Sequence, residues 1–154
     1  MTLVEAKIGK IEMNKKVIAT LLSLFCSTIV FSQTLSFRCN FTDGQITNFD
    51  SGAPSTKHDS KFAELVFDQI DTTKKTARLI GNVGVAQVQV IEGSQLIHLV
   101  EITGSGNLNL TSIFFTDKSK LSGAFPVVHS RHLKTSPSSP LPSQYIGLCR
   151  ELLQ

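Results

Sequence analysis

LSFRCNF, Leu35 to Phe41, sets Leu35, Phe37, Cys39 and Phe41 on one face of an extended chain and Ser36, Arg38 and Asn40 on the other. Alternation with a period of two marks a half-buried β-strand, because successive side chains point to opposite faces. The same period returns in TARLI (76–80), VGVAQVQVI (83–91), LIHLVEI (96–102), LNLTSIFF (108–115), VVHSRH (127–132) and QYIGLCREL (144–152). FAELVFDQI (62–70) suits a helix through Phe62, Leu65, Val66 and Ile70, or a strand through Ala63, Leu65 and Phe67; we favour the strand. Asp43-Gly44 reads as a turn into a short second strand, GQITNF (44–49). Gly81-Asn82, Glu92-Gly93, Gly104-Ser105-Gly106 and Asp117-Lys118 punctuate the rest. Two stretches rich in Ser, Pro or Gly, SGAPSTKHDS (51–60) and TSPSSPLPS (135–143), read as loops. Eight or nine short strands rich in Val, Ile, Thr and Phe indicate an all-β domain with a meandering antiparallel sheet. Such a sheet avoids exposed edges most simply by closing, so the expected fold is a small up-and-down β-barrel of about eight strands. A two-sheet β-sandwich is the alternative.

The N-terminus reads as a signal peptide over residues 1–32. Lys15 and Lys16 precede an apolar run, Val17 to Phe31, of a length that falls short of the roughly 20 residues a membrane-spanning helix needs. Val30 and Ser32 supply the small residues for cleavage before Gln33, and Met13 offers an alternative start. Residues 33–154 then form a single domain in the periplasm or outside the cell. The 15 basic and 12 acidic residues of the whole chain lose Lys7, Lys10, Lys15, Lys16, Glu5 and Glu12, leaving 11 and 10. A nearly neutral domain without a Lys/Arg run speaks against nucleic acid or an anionic membrane as partner. Cys26 leaves with the same segment, so Cys39 and Cys149 remain for one disulfide in an oxidising compartment. Their lack of C-x-x-C spacing makes the pair a staple and not a redox centre. Its place in the first and last strands requires those strands to meet.

No complete catalytic, cofactor or metal signature is present. GNVGVA (81–86) lacks the third glycine of a dinucleotide loop and opens a strand instead of a helix. The polar stretch VVHSRH holds two histidines, but in a strand His129 and Arg131 face one way while Ser130 and His132 face the other, so the H-x-x-H pair cannot converge on one metal ion. If the turn at Asp117 to Lys120 joins a regular hairpin, Asn107 falls opposite Ser130, Gly106 opposite Arg131 and Ser105 opposite His132, or each pair is displaced by a slip of two residues. The last strand starts at the same end. One mouth of the barrel would then collect Ser105, Asn107, Ser130, Arg131, His132, Gln144 and Tyr145, and barrel mouths are common ligand sites. The expected function is a non-enzymatic binding or inhibitory module that takes an envelope ligand or protein. A small hydrolase, with His132 as base to Ser130 or Ser105, is the alternative, and it requires an orienting carboxylate that the local sequence lacks and that Glu101 or Asp117 would have to supply.

The succession of F-x-C-x-F (37–41), IDTTKKTARLIGNVG (70–84), EITGSGNLNLTSIF (101–114), VVHSRH and PSQYIGLC (142–149) resembles a family of small exported bacterial β-rich proteins without an assigned activity. The resemblance implies a signal peptide, a β-rich domain and a terminal cysteine pair, and brings no catalytic residues. In architecture alone the chain is distantly similar to the periplasmic lysozyme-inhibitor barrels. Their S-G-x-x-Y loop is not matched, since Ser105-Gly106 is followed by Asn107, Leu108 and Asn109.

Overall fold

In the computed structural model the structure describes residues 34–62, 64–81, 84–134 and 139–153. The expected signal peptide and the Met13 start lie outside the described residues. The elements run β1 (Leu35–Asn48), β2 (Ser55–His58), β3 (Leu65–Asp71), β4 (Thr76–Gly81), β5 (Gly84–Gly93), β6 (Leu96–Ile102), β7 (Leu108–Phe114), a short helix α1 (Asp117–Ser122), β8 (Ala124–Lys134) and β9 (Pro140–Glu151). The sheet order is β2-β1-β3-β4-β5-β6-β7-β8-β9, and β9 also pairs with β1. Strands β1 and β3–β9 therefore close into an eight-stranded antiparallel barrel. The small extra strand β2 lengthens the β1 side beyond the ring.

Inward positions follow the alternation. Phe37, Cys39, Phe67, Ala77, Val88, Val90, Ile97, Leu99, Ile113, Val127 and Cys149 are buried in one cluster. At one end that cluster is sealed by Phe37, Phe115 and Phe125, of which the Phe37–Phe125 and Phe115–Phe125 pairs meet nearly edge to face at 77° and 74°. Such T-shaped pairs suit the aromatic quadrupole. Across the closing seam Cys39 and Cys149 face each other in register and form the disulfide, 110 residues apart in sequence.

Three local readings are corrected. Asp43-Gly44 is not a turn. β1 runs straight through it, with one residue of extra length between Phe41 and Asp43 that shifts the register against β9. This β-bulge inverts the parity, so Phe41 and then Gly44 point inward. Asp43 Oδ1 accepts from Gly44 N at 2.7 Å, and a Cβ at Gly44 would collide with the Tyr145 ring, so glycine is required by a close approach. The segment read as the loop SGAPSTKHDS contains β2, which pairs Ser55–His58 with Gln45–Asn48 and adds a Thr47–Thr56 hydroxyl bond of 2.8 Å. In TSPSSPLPS, residues from Pro140 onward already pair with β8 as β9. Pro is tolerated there because it opens the strand.

The β7–β8 connection holds a fourth departure. It contains α1, capped by the Thr116 side chain on Ser119 N at 3.1 Å and by Gly123 in the left-handed region at φ 65°. It is not a simple hairpin turn, so the register moves: Leu108 faces His132, Asn109 faces Arg131 and Leu110 faces Ser130. The expected pairing is off by three residues. An odd slip exchanges the faces, so Asn107 and Ser130 are not neighbours.

Candidate functional site

At the end of the barrel opposite the phenylalanine seal, the inward positions change character. Going up β8 from Val127, the next inward residues are His129 and Arg131; going down β9 from Cys149 they are Gly147 and Tyr145. On β7 the same face carries Thr111 and Asn109, and on β6 it carries Glu101. A polar and aromatic wall therefore tops an apolar core. Thr111 Oγ1 and His129 Nδ1 share a hydrogen bond of 2.8 Å, and Asn109 Nδ2 donates to Glu101 Oε2 at 2.6 Å. Asn109 Oδ1 is buried without a hydrogen-bond partner among the described residues.

A further side chain closes the mouth from outside the ring. After β2 the chain is pinned at Asp59, whose N–H donates to Gly44 O at 2.9 Å and whose carboxylate accepts from Tyr145 Oη at 2.8 Å and Lys61 N at 3.0 Å. Phe62 then drops onto the wall. Its ring is stacked on Tyr145 with centroids 4.4 Å apart and lies 4.8 Å from His129, with Phe41 edge-on at 5.1 Å. The Arg131 guanidinium sits over the same ring at 5.4 Å, within cation–π range.

The electrostatics follow from this packing. Burial, helped by the Arg131 charge, pulls His129 down to about 4, so its imidazole is neutral at physiological pH. The Lys61 amide and then the Tyr145 hydroxyl hold Asp59 below the usual carboxylate value. Burial, followed by the bond to Asp59, pushes the Tyr145 phenol up. The mouth therefore presents a neutral imidazole, a protonated phenol and a guanidinium. Among the described residues no carboxylate lies within 4.0 Å of Arg131, since the ion pairs formed are Arg38–Glu64, His58–Asp43, Lys74–Asp71 and Arg78–Asp68.

The seven residues expected at this end are all there, but in three separate groups. Arg131 and Tyr145 face inward, as above. Ser130 and Gln144 face outward, joined by Gln144 Nε2 donating to Ser130 Oγ at 3.2 Å, and His132 is on the same outer side. Gln144 also lines an outer hollow of about 290 Å³ with Asp43, Gln45, Thr47 and Pro142. Ser105 and Asn107 belong to the β6–β7 loop, where Asn107 Nδ2 donates to Ser105 Oγ at 3.0 Å and Ser105 Oγ lies 2.9 Å from Thr103 Oγ1. Asn107 Oδ1 ties that loop to β8 by accepting from Lys134 N at 3.0 Å.

Among the described residues no carboxylate lies within ion-pair or hydrogen-bond distance of His132, and Ser130 Oγ is engaged by Gln144. The Ser–His–carboxylate chain of a hydrolase is not assembled there. Asp59, Phe62, Glu101, Asn109, Thr111 and His129 were not among the expected site residues. His129 was within reach, since it shares the parity of Arg131 in VVHSRH. Nothing in the sequence marks Phe62 as the residue that caps the wall. No protein-family model, curated protein or solved structure matches the chain.

Proposed function

We propose that this protein is an exported, non-enzymatic binding module of the bacterial cell envelope that takes a carboxylate- or phosphate-bearing ligand at the open mouth of the barrel. The observation that carries the reading is Arg131. A guanidinium is planar, always charged and forked, so it pairs in two places with a carboxylate or phosphate. Here it is turned into the mouth, rests on the Phe62 ring, and meets no carboxylate of its own chain among the described residues. Burying part of a charge without a partner costs stability, and a ligand anion would offset that cost. An apolar barrel interior with Arg38, Arg78 and Arg150 on the outside is the reverse of a membrane-spanning barrel, and supports a water-soluble module. The closed, disulfide-stapled barrel is compatible with a periplasmic or secreted location and with the exported β-rich family that the chain resembles.

The chain has one tyrosine and no tryptophan, so tyrosine fluorescence reports on Tyr145 alone. The test is titration of the full chain with acetate and with inorganic phosphate, following that emission. Saturable binding should weaken by about ten- to a hundredfold in Arg131→Ala, the loss of a charge-assisted hydrogen-bonded contact of roughly 1.5–3 kcal/mol. Equal titration curves for wild type and variant would overturn the reading.

A further inference from the structure

The two ends of the barrel pack their aromatic rings differently. At the sealed end Phe125 meets Phe37 and Phe115 edge to face, at 77° and 74°. At the mouth Phe62 stacks on Tyr145 at 28°, and the His129 imidazole lies beside it, tilted by 33°. One stacked ring 4.4 Å away, a tilted imidazole 4.8 Å away, an edge-on Phe41 and a cation over the face describe a slot for one flat ring. Offset stacking and cation–π contact reward any planar π-system placed there.

The ring now in the slot is loosely tethered. Phe62 does not belong to a barrel strand; it sits in the connection between β2 and β3. Among the described residues, the hydrogen bonds that hold this connection to the barrel are both made by Asp59, to Gly44 O and to Tyr145 Oη, and an exposed Arg38–Glu64 ion pair of 3.6 Å joins its far end to β1. Its neighbours in the slot are fixed far better. His129 and Tyr145 are opposed in the β8–β9 ladder, they are 3% and 2% exposed, and His129 is tied to Thr111. The wall is rigid and the ring on it hangs from a connection.

We propose that Phe62 is a built-in stand-in for the ring of an aromatic carboxylate or aromatic phosphate, which displaces it from the Tyr145–His129 wall and sets its anionic group against Arg131. This rests on the anion-binding reading above and narrows its ligand class. Size favours a single small ring, since the slot is one phenyl wide. The neutral state of His129 is consistent with stacking in place of ion pairing at that side. Asp59, which the Tyr145 hydroxyl holds beside the slot, would repel a second negative charge placed at that edge, so the ligand's anion belongs at the Arg131 side.

The experiment titrates benzoate and acetate into the full chain, wild type and Phe62→Ala, by Tyr145 fluorescence. Benzoate should bind about tenfold or more tighter to Phe62→Ala than to wild type, because the internal competitor is gone, and the ratio of benzoate to acetate affinity should rise by about the same factor. Unchanged benzoate affinity alongside Arg131-dependent acetate binding would overturn this inference and leave the anion-binding reading standing. Loss of Arg131 dependence for acetate would remove that reading itself. Should Phe62→Ala fail to fold, the wild-type chain gives the answer by nuclear Overhauser spectroscopy at saturating benzoate. Cross-peaks between benzoate and the His129 and Tyr145 rings are expected, and the Phe62–Tyr145 ring cross-peaks of the free protein should vanish. Persisting Phe62–Tyr145 cross-peaks at saturation would overturn the proposal.

Discussion

Lowering the pH from 7 to 4 should cost the fold roughly 3 kcal/mol through one side chain, His129. The ring is 3% exposed, packed against Phe62 and Phe41, and bonded to Thr111. Burial first, and Arg131 second, bring its pKa from the ordinary 6.5 to about 4. The sign follows from proton counting. Below pH 6.5 the unfolded chain takes up a proton that the folded chain refuses, so stability falls until the folded ring also titrates near 4, and then levels off. At about 1.4 kcal/mol for each pKa unit, the difference of about 2.5 units gives the stated figure. A typical domain has about 5–15 kcal/mol in all, so the effect is large. The carboxylates held low, Asp59 and Asp71, begin to lose their contribution only at the acid end of this window, near their unfolded value of 3.8, and do so in both chains alike. The assay is urea unfolding of wild type and His129→Gln in steps from pH 7 to pH 4; the amide can still meet Thr111, and the difference between the two curves cancels whatever the two chains share. The pH-dependent loss should shrink by about 3 kcal/mol in the variant. Parallel curves would refute the argument that this imidazole is kept neutral by its surroundings.

Two further outcomes bear on the seam between β1 and β9. Cys149→Ser should lower stability by about 2–5 kcal/mol, because a 110-residue loop is released in the unfolded chain, and thiol titration of the oxidised wild type should find Cys39 and Cys149 unreactive. Gly147→Ala should cost about 3 kcal/mol in urea unfolding, the upper end of ordinary overpacking, since a Cβ there meets the Asn40 carbonyl oxygen and, at 2.8 Å, the Phe41 Cα. Both are backbone and cannot swing aside; a loss under about 0.5 kcal/mol would show the bulge to be softer than its geometry implies.

Much of the architecture was legible because alternation and closure are both written in local pattern. Leu35, Phe37, Cys39 and Phe41 announce a strand, and a cysteine near each end announces the seam. What was misread shares one cause: a short signal with two meanings. Asp-Gly serves a hairpin turn and a bulge equally well, and only the Tyr145 ring over Gly44 decides between them. STKH has no alternation to declare β2, whose pairing comes from lying beside Gln45–Asn48. The helix signals Thr116 and Gly123 were present, but a six-residue helix is too short for periodicity to show. Missing it displaced the β7–β8 register by three residues and put Asn107 opposite Ser130, where Leu110 belongs. The partition of Arg131 from Ser130 and His132 needed only strand parity. The arrival of Phe62 needed the tertiary structure, because its place depends on a bond between Asp59 and Tyr145, 86 residues apart.

The devices of this fold are concentrated where closure is hardest. A meander from β3 to β9 forms neighbour by neighbour, with short loops and little entropy to overcome, whereas β9 must find β1 across almost the whole domain. That seam carries the disulfide, the bulge, and two glycines that let backbone or ring approach closely. Tyr145 stands on the same seam, opposite Gly44, four residues from Cys149. The covalent staple therefore does more than limit the unfolded chain: it holds the strand that presents the aromatic wall, in register with the strand that receives Asp59. On the proposed reading the fixed wall spares ordering entropy, while a displaceable Phe62 ring would keep that surface dry until a ligand arrives. Among the described residues the open end holds a guanidinium without a carboxylate and an Asn109 carbonyl without a hydrogen-bond partner, which a barrel built only for stability would avoid.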